Sequence, residues 1–112
     1  MTAFGRQYIQ CSNKDPQYTD VMVVNLTTLK GGTLFLSSGM QNPDDERILV
    51  NIEFEKMTQG NYSYRVTSAG VEGIVYVPES VIGKLSNSFF IHLVFNGYEV
   101  DFSCFSRLYE DN

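Results

Sequence analysis

The stretch Phe89–Phe105, FFIHLVFNGYEVDFSCF, sets two apolar runs on either side of Asn96-Gly97. That dipeptide accepts the positive φ angles of a two-residue type I′ turn, so the stretch reads as a tight β-hairpin. The turn dictates a register: Phe95 opposite Tyr98, Leu93 opposite Val100, Ile91 opposite Phe102 and Phe89 opposite Cys104. One face is then apolar throughout. The other carries Phe90, His92 and Val94 across from Ser103, Asp101 and Glu99. A sheet with one apolar face needs further strands to cover it, so the hairpin implies an all-β chain.

The rest of the chain supplies such strands. Residues 6–11 (RQYIQC) form a short first strand, with Tyr8 and Gln10 opposite in phase to Ile9. Ser12–Asp20 is polar, contains a proline and reads as a long loop. Val21–Leu29 is rich in β-formers, and its VMVV start implies burial on both faces. Gly31-Gly32 offers a hairpin turn into Thr33–Ser37, which sets Leu29 against Leu34 and Thr28 against Phe35. Ser38–Glu46 is a second loop with turn chemistry. Ile48–Glu55 alternates cleanly, with Ile48, Val50, Ile52 and Phe54 on one side. Asn61–Thr67 and Val71–Val77, joined by a turn at Ala69-Gly70, complete a meander. Pro78–Asn87 (PESVIGKLSN) has the start signals of a helix of about two turns. The expected architecture is therefore an antiparallel β-sandwich or small β-barrel of 7–8 short strands, with one short helix. With 112 residues and no break in composition, it is expected as a single domain spanning residues 1–112.

Charge narrows the function classes. Thirteen acidic residues against eight basic ones give a net charge of −5, and the basic residues are dispersed along the chain. Neutralising a phosphate backbone takes clustered Lys and Arg, so nucleic acid is an unlikely partner. No apolar run reaches the length of a membrane span, and the N-terminal segment lacks a secretion signal's apolar core, so no membrane association and a cytoplasmic setting are expected. The two cysteines, Cys11 and Cys104, match no metal or redox spacing. Either they bridge the first strand to the last, or they are free. The reduced form is the preferred reading, because one long-range pair is a weak signal.

His92, the single histidine, faces Asp101 in the hairpin register. A general base with Ser103 as nucleophile would need a diagonal reach of roughly 7 Å on a flat face with no oxyanion hole. A cross-strand polar pair is the better reading. Asp44, Asp45 and Glu46 are consecutive and lack the ligand spacing of a calcium loop. Glu53 and Glu55 belong to a solvated strand face, and no glycine-rich phosphate loop is present. No catalytic residue, metal or cofactor is expected. The aromatics are more informative. Phe90 and Phe105 fall on the outward face of the terminal hairpin with Val94, where another sheet or the short helix either covers them or leaves an apolar patch.

These features favour a non-enzymatic protein-binding module, a class that includes small inhibitors and adaptors, some of them viral. The expected contact surface is Phe90, His92, Val94, Glu99 and Asp101, together with the loops at 15–20 and 42–46 that carry Asp44, Asp45 and Glu46. Two alternatives belong to other classes. One is a structural subunit that self-assembles through β-edges or the same patch. The other is a small barrel that binds single-stranded nucleic acid.

Overall fold

The computed structural model describes residues 6–37 and 47–109. The chain forms eight antiparallel strands: β1 (Arg6–Asn13), β2 (Val21–Thr28), β3 (Gly31–Ser37), β4 (Arg47–Thr58), β5 (Asn61–Val66), β6 (Gly73–Pro78), β7 (Ser86–Phe95) and β8 (Tyr98–Tyr109). Each strand pairs with its neighbours in sequence, and β1 pairs with β8, so the sheet closes into an up-and-down barrel. Of the two expected architectures, the small barrel is the one adopted.

Alternation explains the core. Inward positions along β1, β2 and β7 are Gln7, Ile9 and Cys11; Met22, Val24 and Leu26; and Phe89, Ile91, Leu93 and Phe95, all buried. An eight-stranded barrel leaves an interior just wide enough for side chains to fill. Tyr64 and Phe102 are the largest wholly buried groups. The outer wall carries Gln10, Glu53, Glu55, Arg65 and Asp101. Among the described residues, no helix is long and apolar enough to cross a membrane.

The terminal hairpin has the register read from its turn, from Phe95 opposite Tyr98 to Phe89 opposite Cys104. Asn96 and Gly97 both take positive φ, at 47° and 87°. Tyr98 departs from the expected apolar face: it stands at the barrel rim and is 78% exposed.

Several expectations are corrected. The β2–β3 turn lies at Leu29-Lys30, and Gly31 and Gly32 belong to β3, so Leu34 faces Val24 and Phe35 faces Val23. The glycines serve close approach instead of the turn. A Cβ on Gly32 would stand 1.8 Å from the Asn25 carbonyl oxygen, and one on Gly31 would stand 2.4 Å from that of Ile52. Val21 and Val23 are only half-buried, because a closed barrel has a single inside. β4 runs on to Thr58 and turns at Gln59-Gly60, both at positive φ. The expected helix is one 3-10 turn, Glu79–Val81, and β7 begins at Ser86. Gly83 at φ 71° interrupts any continuation.

The cysteines are also corrected. Cys11 and Cys104 are direct partners across the β1–β8 seam and form a disulfide. The bond faces the core, since both residues are buried. Closure of the barrel is what brings these two distant positions together.

Candidate binding site on the terminal hairpin and the barrel mouth

The two ends of the barrel differ. At one end the segment after β6 folds across the opening. Val81 is buried there, and Gln7 reaches it from the inside of β1. The Gln7 amide donates to the carbonyls of Val81 (2.7 Å) and Lys84 (3.2 Å) and accepts from the Gly83 N–H (2.9 Å). Ser106 on β8 donates to the same Lys84 carbonyl at 2.6 Å. Tyr64 donates its buried phenol to the Leu29 carbonyl at 3.0 Å. Burial, with the neighbouring Tyr62, pushes that phenol well above its ordinary pKa.

The other end carries the β1–β2 loop and the β7–β8 turn. A cavity of about 960 Å³ lies there, between the β1–β2 loop and the start of β8. The loop is held by Asn13, which donates from its side chain to Asp20 (2.9 Å) and from its backbone to the Asp20 carbonyl (3.1 Å). The Lys14 N–H donates to the Asp101 carbonyl at 3.0 Å. Asn96 ties the β5–β6 connection to the hairpin turn: its N–H donates to the Glu72 carbonyl, and its side-chain oxygen accepts from the Glu72 N–H.

On the outer wall of β7 and β8 the structure brings together five of the expected contact residues. Phe90 pairs with Ser103, His92 with Asp101 and Val94 with Glu99. His92 Nδ1 lies 2.7 Å from Asp101 and Nε2 lies 3.2 Å from Glu99. Both ring nitrogens are therefore taken by carboxylates, and neither is left for Ser103. The hydrogen bond with Asp101 is the main cause of a raised His92 pKa; partial burial opposes it and Glu99 adds to it. The Tyr76 ring stands 6.0 Å from the imidazole. Phe90 is 55% exposed, while His92 and Val94 are half-buried. The Lys14 ammonium lies over the Phe90 ring, 5.0 Å from its centroid, and Arg107 takes a similar place over Phe105 at 5.5 Å. A depression of about 440 Å³ runs from Phe90, His92 and Val94 toward Thr58 and Gln59 of the β4–β5 turn.

Asp44, Asp45 and Glu46 lie outside the described residues, so their part of the surface is not assigned. Glu55 is bonded to Arg65, which holds its carboxyl below the ordinary value. Sequence reasoning missed Gln7, the tie of Asn96 to Glu72 and a second outer ladder of Val23, Phe35 and Leu49, in which Leu49 is 68% exposed. Gln7 was within reach, since it shares the phase of Ile9. Among the described residues, no cluster of His, Cys, Asp and Glu could hold a metal ion.

Comparison with protein-family models, curated proteins and solved structures found no match to this chain.

Proposed function

We propose that this chain is a non-enzymatic protein-binding module whose partner seats on the outer wall of β7 and β8. The observation that carries the reading is the state of that wall. An exposed Phe90 and a half-buried Val94 lie beside a histidine whose two nitrogens are held by carboxylates. Apolar surface framed by fixed polar groups is the composition of a protein contact, and a general base needs a nitrogen free to reach a substrate proton.

Closure of the barrel supports this reading over assembly by strand addition. Every strand from β1 to β8 has two paired neighbours, so the described residues contain no free edge strand, although the β6–β7 ladder ends at Tyr76 opposite His92. A cytoplasmic setting belongs to the same proposal, and the Cys11–Cys104 bridge is what it has to meet, because reducing compartments keep such pairs open. Thiol alkylation before lysis, read by mass spectrometry, decides that point: a blocked, unbridged chain supports the cytoplasm and a bridged one an oxidising compartment.

The test is capture of partners by the tagged protein from its native cells, with and without nuclease. Wild type is compared with Phe90→Asp, Val94→Asp and, as a control on the opposite ladder, Leu49→Asp. The expected result is a stoichiometric protein that survives nuclease and is lost from the first two variants only. Loss from Leu49→Asp alone moves the contact to the other ladder. Recovery of the chain by itself favours self-assembly, and loss after nuclease favours nucleic acid.

A further inference from the structure

Only one protonation state of His92 satisfies the way it is held. Its Nδ1 lies 2.7 Å from an Asp101 oxygen and its Nε2 3.2 Å from a Glu99 oxygen. An ionised carboxylate only accepts hydrogen bonds, and a neutral imidazole carries a single N–H. Both contacts are hydrogen bonds only when the ring is an imidazolium. Once its proton leaves, one ring nitrogen turns a lone pair toward a carboxylate oxygen, and that contact becomes repulsive. The Glu99 contact is the longer one, and its side chain is the more exposed, 68% against 56% for Asp101. Glu99 is therefore the arm that is released.

The other elements around the ring supply no substitute cation. Tyr76 of β6 faces it with a centroid separation of 6.0 Å. Thr58, Gln59 and Asn61, around the β4–β5 turn, line the same depression and carry no charge. Among the described residues, no Lys or Arg lines it, and the Lys14 ammonium of the β1–β2 loop is placed over the Phe90 ring. One imidazolium and two carboxylates sum to −1, and a neutral ring leaves −2 on the wall.

We propose that docking on the β7–β8 wall is proton-coupled: the His92 imidazolium clamps Asp101 and Glu99 while a partner is seated, and loss of its proton releases that partner. This rests on the reading of the wall as the protein contact. Seating a partner on Phe90 and Val94 strips water from the carboxylates beside them. A carboxylate held by the imidazolium withstands that, whereas an unpaired one is costly to desolvate. By linkage, a partner that prefers the protonated wall raises the pKa of the ring in its turn. In the free chain the hydrogen bond with Asp101 already holds that pKa above the ordinary histidine value of about 6.5.

The experiment has two arms. In the first, the labelled full chain is titrated alone by NMR, following the His92 ring nitrogens and the Glu99 and Asp101 carboxyl carbons. Both nitrogens should be protonated on the acid side, and the Glu99 carboxyl should shift at the midpoint of the ring. Glu99→Gln should lower that midpoint. A Glu99 carboxyl that ignores the titration of the ring overturns the clamp. In the second arm, lysate of the native cells is passed over the immobilised chain at about pH 6 and about pH 9, on either side of the ordinary histidine range. The protein lost from Phe90→Asp is then quantified by mass spectrometry. Its binding to the wild type should weaken at least about tenfold at the higher pH. Glu99→Gln with Asp101→Asn leaves no carboxylate to uncover and should flatten that dependence. His92→Gln should bind at the weaker level at both pH values. Undiminished binding of the wild type at the higher pH, or an equal loss in the double variant, overturns the proposal. Capture of no protein, or retention of every captured protein by Phe90→Asp, defeats the docking reading itself, so the two failures are told apart.

Discussion

The end closed by 79–84 and the end carrying the β1–β2 loop solve the same problem in different ways. Both must finish eight strands without leaving buried backbone groups unpaired. The sealed end does so from within: Gln7 and Ser106 bond the carbonyls of 81–84, and Val81 enters the core. The other end does so from outside, among the described residues through Asn13 with Asp20 and Asn96 with Glu72. The Cys11–Cys104 bridge holds the β1–β8 seam on the side nearer the mouth. Among the described residues, one end is therefore tied through the barrel interior and the other through its loops.

Substitutions can break that contrast. The largest effect is expected from Cys11→Ser with Cys104→Ser. Opening a bridge across a sequence separation of 93 should cost about 4 kcal/mol, read as a shift in the denaturant midpoint. Gln7→Leu comes next. It strands the Val81 carbonyl and the Gly83 N–H, while the Lys84 carbonyl keeps its Ser106 donor, and about 3 kcal/mol should be lost in the same assay. Tyr64→Phe removes one buried hydrogen bond and should cost about 1 kcal/mol. At the mouth, Tyr18→Ala and Tyr98→Ala should change stability by less than about 0.5 kcal/mol, since both rings are exposed. A mouth substitution as costly as Gln7→Leu would erase the distinction between the ends.

The smallest effect sharpens the picture of the outer wall. Because the His92 pKa is raised in the folded chain, its pairing with Asp101 and Glu99 contributes fully below the unfolded value of about 6.5. That contribution is lost as pH rises through the folded pKa. The ring is exposed, so solvent screening keeps the effect within about 0.5 kcal/mol. Proton NMR of the single imidazole should give a pKa above the ordinary histidine value, falling toward it in Asp101→Asn. An unshifted resonance in the wild type would remove the carboxylate pairing from the account.

How far the sequence carried the fold depends on the kind of signal each residue sends. Asn96-Gly97 has a local cause and a local effect, so the whole β7–β8 register followed from it, including His92 across from Asp101. Gly31-Gly32 sends the same local signal for a different reason. Its glycines admit neighbouring backbones from β2 and β4, and that need exists only once the barrel is closed. The helix signals of Pro78–Ser80 were real but sufficed for a single turn, because β7 claims the chain from Ser86. The Cys11–Cys104 pairing and the Gln7 network depend on which strands meet at closure, information that no short window holds.

The central claim, that partners are taken by the β7–β8 outer wall, is tested most directly by NMR chemical-shift mapping of the labelled barrel against its captured partner. The account predicts perturbations centred on Phe90, His92, Val94 and Ser103, with Gln7 and 79–85 unmoved. Perturbations centred on the sealed end, or on Val23, Phe35 and Leu49, would contradict it.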